Sequence, residues 1–219
     1  MENLINQLIK EGYLKTPVII EAFRKIKRAD FAPDDLRREK GDDFIAEYNA
    51  PLPIGYGQTI SQPLTVAFML ELLQPKAGDR ILDIGSGSGW QTALLTEIVI
   101  GDSGKSDFPP GKVFAIERIP ELKELGEKNA AKYNFAEKGK AEFICADGSK
   151  GLPKEAPFDK IIAAAAGGEI PLAWKKQLKI HGRLVTPVKN SIWLLIKKEE
   201  NKFEEKEYPG FSFVPLVRE

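Results

Sequence analysis

Three groups of residues have the types and spacing to do chemistry. The first is "DIGSGSG", where Asp83 precedes Gly85, Ser86, Gly87 and Gly89. Alternate glycines let a backbone turn sharply and come close to a ligand where a Cβ would intrude. They follow the apolar run "RILDI", which places the turn at the end of a strand, the ligand-binding position of open parallel sheets. The second group is a pair of carboxylates ending the next two strand-like runs, Glu117 in "VFAIE" and Asp147, beside Gly148, in "AEFICADG". Glu117 has the acceptors to take both hydroxyls of a ribose, and Asp147 those to take an exocyclic amine of an adenine. The bland alternatives are a solvated glutamate opening a helix and an aspartate N-cap. The third group is "PLPIGYGQTISQP", where prolines stiffen a short segment carrying Thr59, Ile60 and Ser61. For Ser61 an N-cap on a helix starting near Pro63 is an open alternative to a chemical role.

The glycine spacing also excludes. A dinucleotide fingerprint needs G-x-G-x-x-G, and Trp90 stands where its third glycine belongs. A nicotinamide dehydrogenase is therefore the least favoured of the nucleotide-binding readings.

Composition narrows the class further. The 219 residues suffice for one sizeable domain, and 32 basic residues balance 32 acidic ones. That balance argues against nucleic acid as an obligate partner. One cysteine, Cys145, allows no internal disulfide and suits a reducing compartment. The start, "MENLINQLIKEG", lacks the basic region and apolar core of a secretory leader. No apolar run approaches the roughly 20 residues of a membrane helix. The expectation is a soluble, cytoplasmic protein.

The elements that must position these groups follow from periodicity. Leu4, Ile5, Leu8 and Ile9 lie at helical spacing, and Thr16 followed by Pro17 opens a second helix. Residues 30–62 read as irregular, and "LTVAFMLELLQ" resumes a helix. From "RILDIG" onward strands and helices alternate: "WQTALLTEIV", "KVFAIE", "PELKELGEKNAAKYN", "AEFICAD", "FDKIIAAAA" and "EIPLAWKKQL". This predicts an α/β fold, a mostly parallel doubly wound sheet with an N-terminal helical extension. "GRLVTPV" and "SIWLLIKKEE" pair as a hairpin across "KN", which makes the C-terminal part antiparallel, and "GFSFVPLV" reads as one last strand. Residues 101–111 read as a loop inserted between helix and strand. We expect one domain over 1–219, with residues 1–62 as helical extension and loop and 63–219 as sheet core.

"LDIGSGSG", "AIE" and "ADG", in that order at strand ends, resemble the Rossmann-like class I methyltransferases. "PLPIGYGQTIS" ahead of the glycine motif resembles more closely the protein-L-isoaspartate O-methyltransferase family, and the likeness continues through "GRLVTPV" and "GFSFVPLV". The resemblance implies S-adenosylmethionine as cofactor and no metal. It implies damaged proteins or peptides with an isoaspartyl carboxylate as substrate; the charge balance and the lack of a long apolar run add the expectation of no nucleic-acid or membrane partner, and we expect a monomer. It puts the family's essential serine at Ser61, with Thr59, Ile60, Asp83, Gly85, Ser86, Gly87, Gly89, Glu117, Asp147 and Gly148 toward the cofactor. Ile54, Tyr56, Gly57 and Val188 would face the substrate, although a surface tyrosine and core packing of Val188 are the plainer readings. Leu64 stands where some members carry a histidine, and His181 stands where a glycine is common.

The chemistry such a site needs is modest. A carboxylate nucleophile, with a pKa of about 4, is ionised at neutral pH and requires no base. That agrees with a chain whose one histidine sits near a strand start. The competing readings are a methyltransferase of the same fold acting on a small molecule or RNA, and a nucleotide-binding module without catalysis. An RNA enzyme would need a cluster of basic and aromatic residues near the loop, and the sequence has none there. The second would not need the loop.

Overall fold

A computed structural model describes residues 1–101, 111–135 and 139–217. The inserted loop expected at 101–111 lies, apart from its two ends, outside the described residues. Helix α1 (Glu2–Lys10) buries Leu4, Ile5 and Leu8, and α2 (Pro17–Lys25) buries Ile19, Ala22 and Phe23. Thr16 and Pro17 open α2 as the sequence predicts, but the Thr16 hydroxyl does not cap it. Instead it donates to Glu71 Oε2 at 2.7 Å, while Glu71 Oε1 accepts the N–H groups of Lys15 and Thr16, both at 2.8 Å. One carboxylate on α5 (Pro63–Leu73) thus holds the start of α2.

The segment expected to be irregular is more ordered than its composition indicates. It holds a 3-10 turn (Arg28–Phe31), α3 (Asp34–Lys40), α4 (Asp42–Glu47) and the strands β1 (Leu52–Gly55) and β2 (Gln58–Ile60). Helix α3 buries no side chain, so apolar periodicity could not reveal it. Its support is electrostatic, with Asp34 and Asp35 in the first turn and Arg37, Arg38 and Lys40 in the last, each complementing the helix dipole. Strands β1 and β2 form an antiparallel hairpin with Leu52 opposite Ile60.

The main sheet comprises β3 (Arg80–Ile84), β4 (Lys112–Glu117), β5 (Ala141–Cys145), β6 (Phe158–Ala163), β7 (Leu178–Val188), β8 (Ser191–Glu199) and β9 (Lys202–Pro209). Their order is β5-β4-β3-β6-β7-β8-β9, parallel through β7 and antiparallel from there on. The expected parallel sheet with an antiparallel C-terminal part is what forms. Alternation along each strand divides the core. Ile81, Val113 and Ala115 face the layer built by α1, α2, α5, α6 (Trp90–Ile100) and α7 (Pro120–Ala131). Leu82, Ile84, Phe114 and Ile116 face a second layer that includes Trp174 of α8 (Leu172–Gln177). The N-terminal helices therefore share one apolar cluster with the sheet.

Two strand expectations are corrected. The last strand is "KFEEKEYP", and "GFSFVPLV" is an extended segment with a single bridge from Pro215 to Ala166. Strand β9 is an edge whose residues are almost all exposed, so it has no apolar run to betray it. His181 does not precede its strand but interrupts it, at φ +64° beside the irregular register between β6 and β7. Its side chain is exposed.

Candidate active site

The strand order reverses at β3, which has β4 on one side and β6 on the other. Crevices at such a reversal, beyond the carboxyl ends of the strands, are where open α/β sheets bind ligands. Here the turn Gly85–Gly89 leaves β3, and Ile116 O of β4 accepts the N–H of Gly85 at 2.8 Å and of Ser86 at 3.1 Å. Gly87 and Gly89 have φ of +51° and +87°, the left-handed region. A Cβ on Gly89 would also lie 2.8 Å from Gly126 O, so this glycine lets α6 and α7 come together. Glu117 closes the arrangement. Its Oε2 accepts the Gly87 N–H at 2.9 Å, and its Oε1 accepts from Arg118 N at 2.8 Å and Ile119 N at 3.0 Å.

The β1–β2 hairpin lies over this turn. Ile54 is 5 % exposed, and its Cδ1 comes within 3.4 Å of where a Gly87 side chain would begin. Directly after the hairpin comes Ser61. The N-cap of α5 is Gln62, with no side-chain capping bond, so Ser61 is not the helix cap. Its hydroxyl makes no hydrogen bond among the described residues.

Between hairpin and turn is a cavity of about 540 Å³. The structure brings Thr59, Ile60, Ser61, Gly85, Ser86, Gly87, Glu117 and Gly148 to its wall. It does not bring the other sequence-predicted residues there. Ile54 packs beneath the hairpin. Tyr56 and Gly57 form its exposed tip, with Tyr56 59 % exposed and at φ +55°. Val188 bridges to Gly167 away from the cavity wall. Gly89 is spent on helix packing. Asp83 is fully buried behind the turn, accepting from Thr92 Oγ1 at 2.6 Å and Gln91 Nε2 at 2.8 Å, so it ties β3 to α6. Burial raises its pKa to about 6 despite those two hydrogen bonds.

Asp147 behaves as the N-cap of the 3-10 turn Gly148–Lys150, accepting the Ser149 N–H at 2.9 Å. Burial pushes its carboxyl up, but the Ser149 bonds and nearby Lys150 outweigh that and hold it below the usual range. Its Oδ2 is buried and has no hydrogen-bond partner. Beside it, Gly148 is packed so tightly that a Cβ there would lie only 2.5 Å from Ile84 Cγ2.

Sequence reasoning missed two parts of the wall. Residues 210–217 line it from Gly210 to Val217, held by Ala166 N to Val214 O and Leu216 N to Ala166 O, both at 2.8 Å. Their apolar character is visible in the sequence but resembles that of a strand. Trp90, which in sequence only breaks the dinucleotide fingerprint, lines the cavity as the first residue of α6. Two buried polar atoms on the wall, Ser86 Oγ and Trp90 Nε1, have no partner within the protein. Orphaned polar atoms at a cavity mark places where a ligand supplies the missing bond.

Similarity to known proteins agrees with this geometry. The sequence profile described as protein-L-isoaspartate(D-aspartate) O-methyltransferase matches residues 1–219. The chain is 43% identical to protein-L-isoaspartate O-methyltransferase 2 of Archaeoglobus fulgidus, over 98% of this chain and 91% of that protein. It is 40% identical to protein-L-isoaspartate O-methyltransferase of Ignicoccus hospitalis, over 99% of this chain and 96% of that one. In fold it resembles a Plasmodium falciparum structure described as a protein-L-isoaspartate O-methyltransferase in complex with S-adenosyl-L-homocysteine. That likeness has TM-score 0.82 and 21% identity, covering 98% of this chain and 97% of the other. A cavity at the sheet reversal, walled by a glycine turn and by the serine that follows the hairpin, thus occurs in a chain matched from its first residue to its last, and the chain belongs to the protein-L-isoaspartate(D-aspartate) O-methyltransferase family.

Proposed function

We propose that this chain transfers the methyl group of S-adenosylmethionine to the free carboxylate of L-isoaspartyl residues in damaged proteins, the step that starts their repair, with Ser61 as the residue that orients that carboxylate. The observation that carries the assignment is the position of Ser61: it shares one cavity with Gly85, Ser86 and Gly87, and its hydroxyl is uncommitted.

The cavity fits the cofactor. Glu117 would hold a ribose, Ser86 Oγ and Trp90 Nε1 supply polar atoms that lack partners, and Gly85 and Gly148 leave the walls close without side chains. When bound, the sulfonium supplies an electrophilic methyl and its own leaving group. The chain's contribution is alignment. The Ser61 hydroxyl donates to the incoming carboxylate and fixes its approach, and positioning of this kind lowers a barrier by several kcal/mol. Ile60, Val66, Phe211, Phe213 and Val214 give the cavity an apolar share of wall that keeps water from competing with the carboxylate. No proton needs to move, and among the described residues no histidine lines the cavity. Asp83 and Gly89 serve as supports of the turn, and Asp147 as a cap that places Gly148.

The proposed working unit is the monomer, since one chain supplies the glycine turn, Glu117 and Ser61 to the same cavity. Residues 1–62 and 63–219 act as one domain, joined by their common core. Among the described residues no helix is long and apolar enough to cross a membrane. With a free Cys145 and a formal charge of zero, the protein acts in the cytoplasm and does not depend on nucleic acid.

The test offers labelled S-adenosylmethionine with two peptides that differ only in aspartyl or isoaspartyl linkage. Label should enter the isoaspartyl peptide alone. Transfer to neither peptide refutes the assignment.

A further inference from the structure

Arg28 is 0 % exposed, one of the largest fully buried side chains of the molecule. Its guanidinium has no carboxylate partner among the described residues. It binds four backbone carbonyls instead. Nη1 donates to Ile45 O at 3.0 Å and Tyr48 O at 2.7 Å. Nη2 donates to Ala50 O at 2.7 Å and Ser61 O at 3.2 Å. Three of these carbonyls precede the β1–β2 hairpin and the fourth follows it, so one planar group pins both legs where the hairpin leaves the body. On its other side Arg28 lies over the Trp90 ring, with Cζ 5.5 Å from the centroid. Trp90 follows Gly89 directly and lines the cavity.

Burying a cation without an anion is costly, and burial lowers the pKa of this guanidinium to about 10. A neutral side chain could fill the volume without that penalty. What it could not do is hold two stretches of backbone in a fixed relative orientation, which the rigid five-donor fork of arginine allows. The stretch it holds on the far leg is the peptide group of Ser61 itself.

We propose that Arg28 is a positioning residue for methyl transfer: by clamping the Ser61 carbonyl while resting on Trp90, it sets the direction of the Ser61 hydroxyl relative to the glycine turn. This rests on the role given to Ser61 above. Arg28 touches neither substrate nor cofactor and acts through Ser61.

The test is a double-mutant cycle of Arg28→Lys and Ser61→Ala, with kcat toward an isoaspartyl peptide, cofactor Kd by calorimetry and Tm measured for each protein. Lysine keeps the charge but offers one ammonium in place of the fork. Arg28→Lys alone should lower kcat about 10- to 100-fold with cofactor Kd changed less than threefold, the scale of a slight misplacement of a reacting group. In the Ser61→Ala background the same substitution should cost less than threefold, since residues acting as a unit do not add. A general loosening of the fold would instead multiply the two effects or weaken cofactor binding in parallel, and either result overturns the proposal. Should Arg28→Lys not fold, Arg28→Gln, which buries no charge, enters the same cycle with the same expectation. If neither folds, the side chain is structural and the proposal fails. No transfer by the unaltered chain sinks the serine assignment as well, whereas multiplicative effects in an active enzyme sink Arg28 alone.

Discussion

Glu117 and Gly87 stand 30 residues apart in sequence, and the Glu117 carboxylate accepts the Gly87 N–H at 2.9 Å. The end of β4 thereby holds the turn that leaves β3. The same side chain faces the cavity, so it shapes the glycine turn and offers acceptors to a ligand at once.

Glu117→Ala removes both. We expect cofactor binding to weaken by about 1.5–3 kcal/mol, the scale of a hydrogen bond to a charged group. Calorimetric titration decides, and an unchanged Kd would show that the carboxylate serves the turn alone.

Ser61→Ala should separate turnover from binding. The hydroxyl has no bond in the protein to lose, so stability should change by less than about 0.5 kcal/mol. Turnover of an isoaspartyl peptide should fall roughly 100-fold, the scale for misplacing a reacting group, with cofactor affinity nearly unaltered. Equal kcat in mutant and parent would remove Ser61 from the mechanism.

Gly89→Ala tests the packing. A Cβ there would meet Gly126 O at 2.8 Å from a backbone at φ +87°. Strain and overpacking together should cost about 2–4 kcal/mol of stability. A Tm within a degree of the parent would mean that α6 and α7 can move apart freely.

Asp83 predicts a pH effect whose sign is fixed. Burial raises its pKa from 3.8 unfolded to about 6 folded. The folded state therefore holds the proton more tightly. The stabilisation from this proton is complete below pH about 4, is lost as pH rises through about 6, and is absent above it. Asp83→Asn cannot titrate, so the stability of the parent relative to this variant should be greater at pH 4 than at pH 8. A difference that stays constant, or grows toward pH 8, contradicts the buried-carboxylate account.

Much of the site was legible because its parts follow from local rules. Glycines after an apolar run mark a strand-to-helix turn, and that turn formed with Glu117 against it. The prolines of "PLPIGYGQTIS" announced a constrained segment, and the segment became a hairpin over the turn. Illegible features were those whose partners are distant in sequence. Asp83 looks like a ligand residue until Thr92 and Gln91 are seen on its oxygens. Tyr56 looks like a contact residue until the positive φ values of the hairpin tip turn it outward. Arg28 gave no signal at all, since its four partners are backbone carbonyls, which every residue has. The charged strand β9 lacked the apolar alternation that identifies a half-buried strand.

The cavity wall joins residues 58–62 to residues 210–217, segments far apart in the chain. A polypeptide still emerging from the ribosome has its glycine turn and its serine before it has residues 210–217, and so lacks this wall until that segment is made. The enzyme should thus be silent until that segment is made, and a product cut short before Gly210 should leave its transfer site open to water.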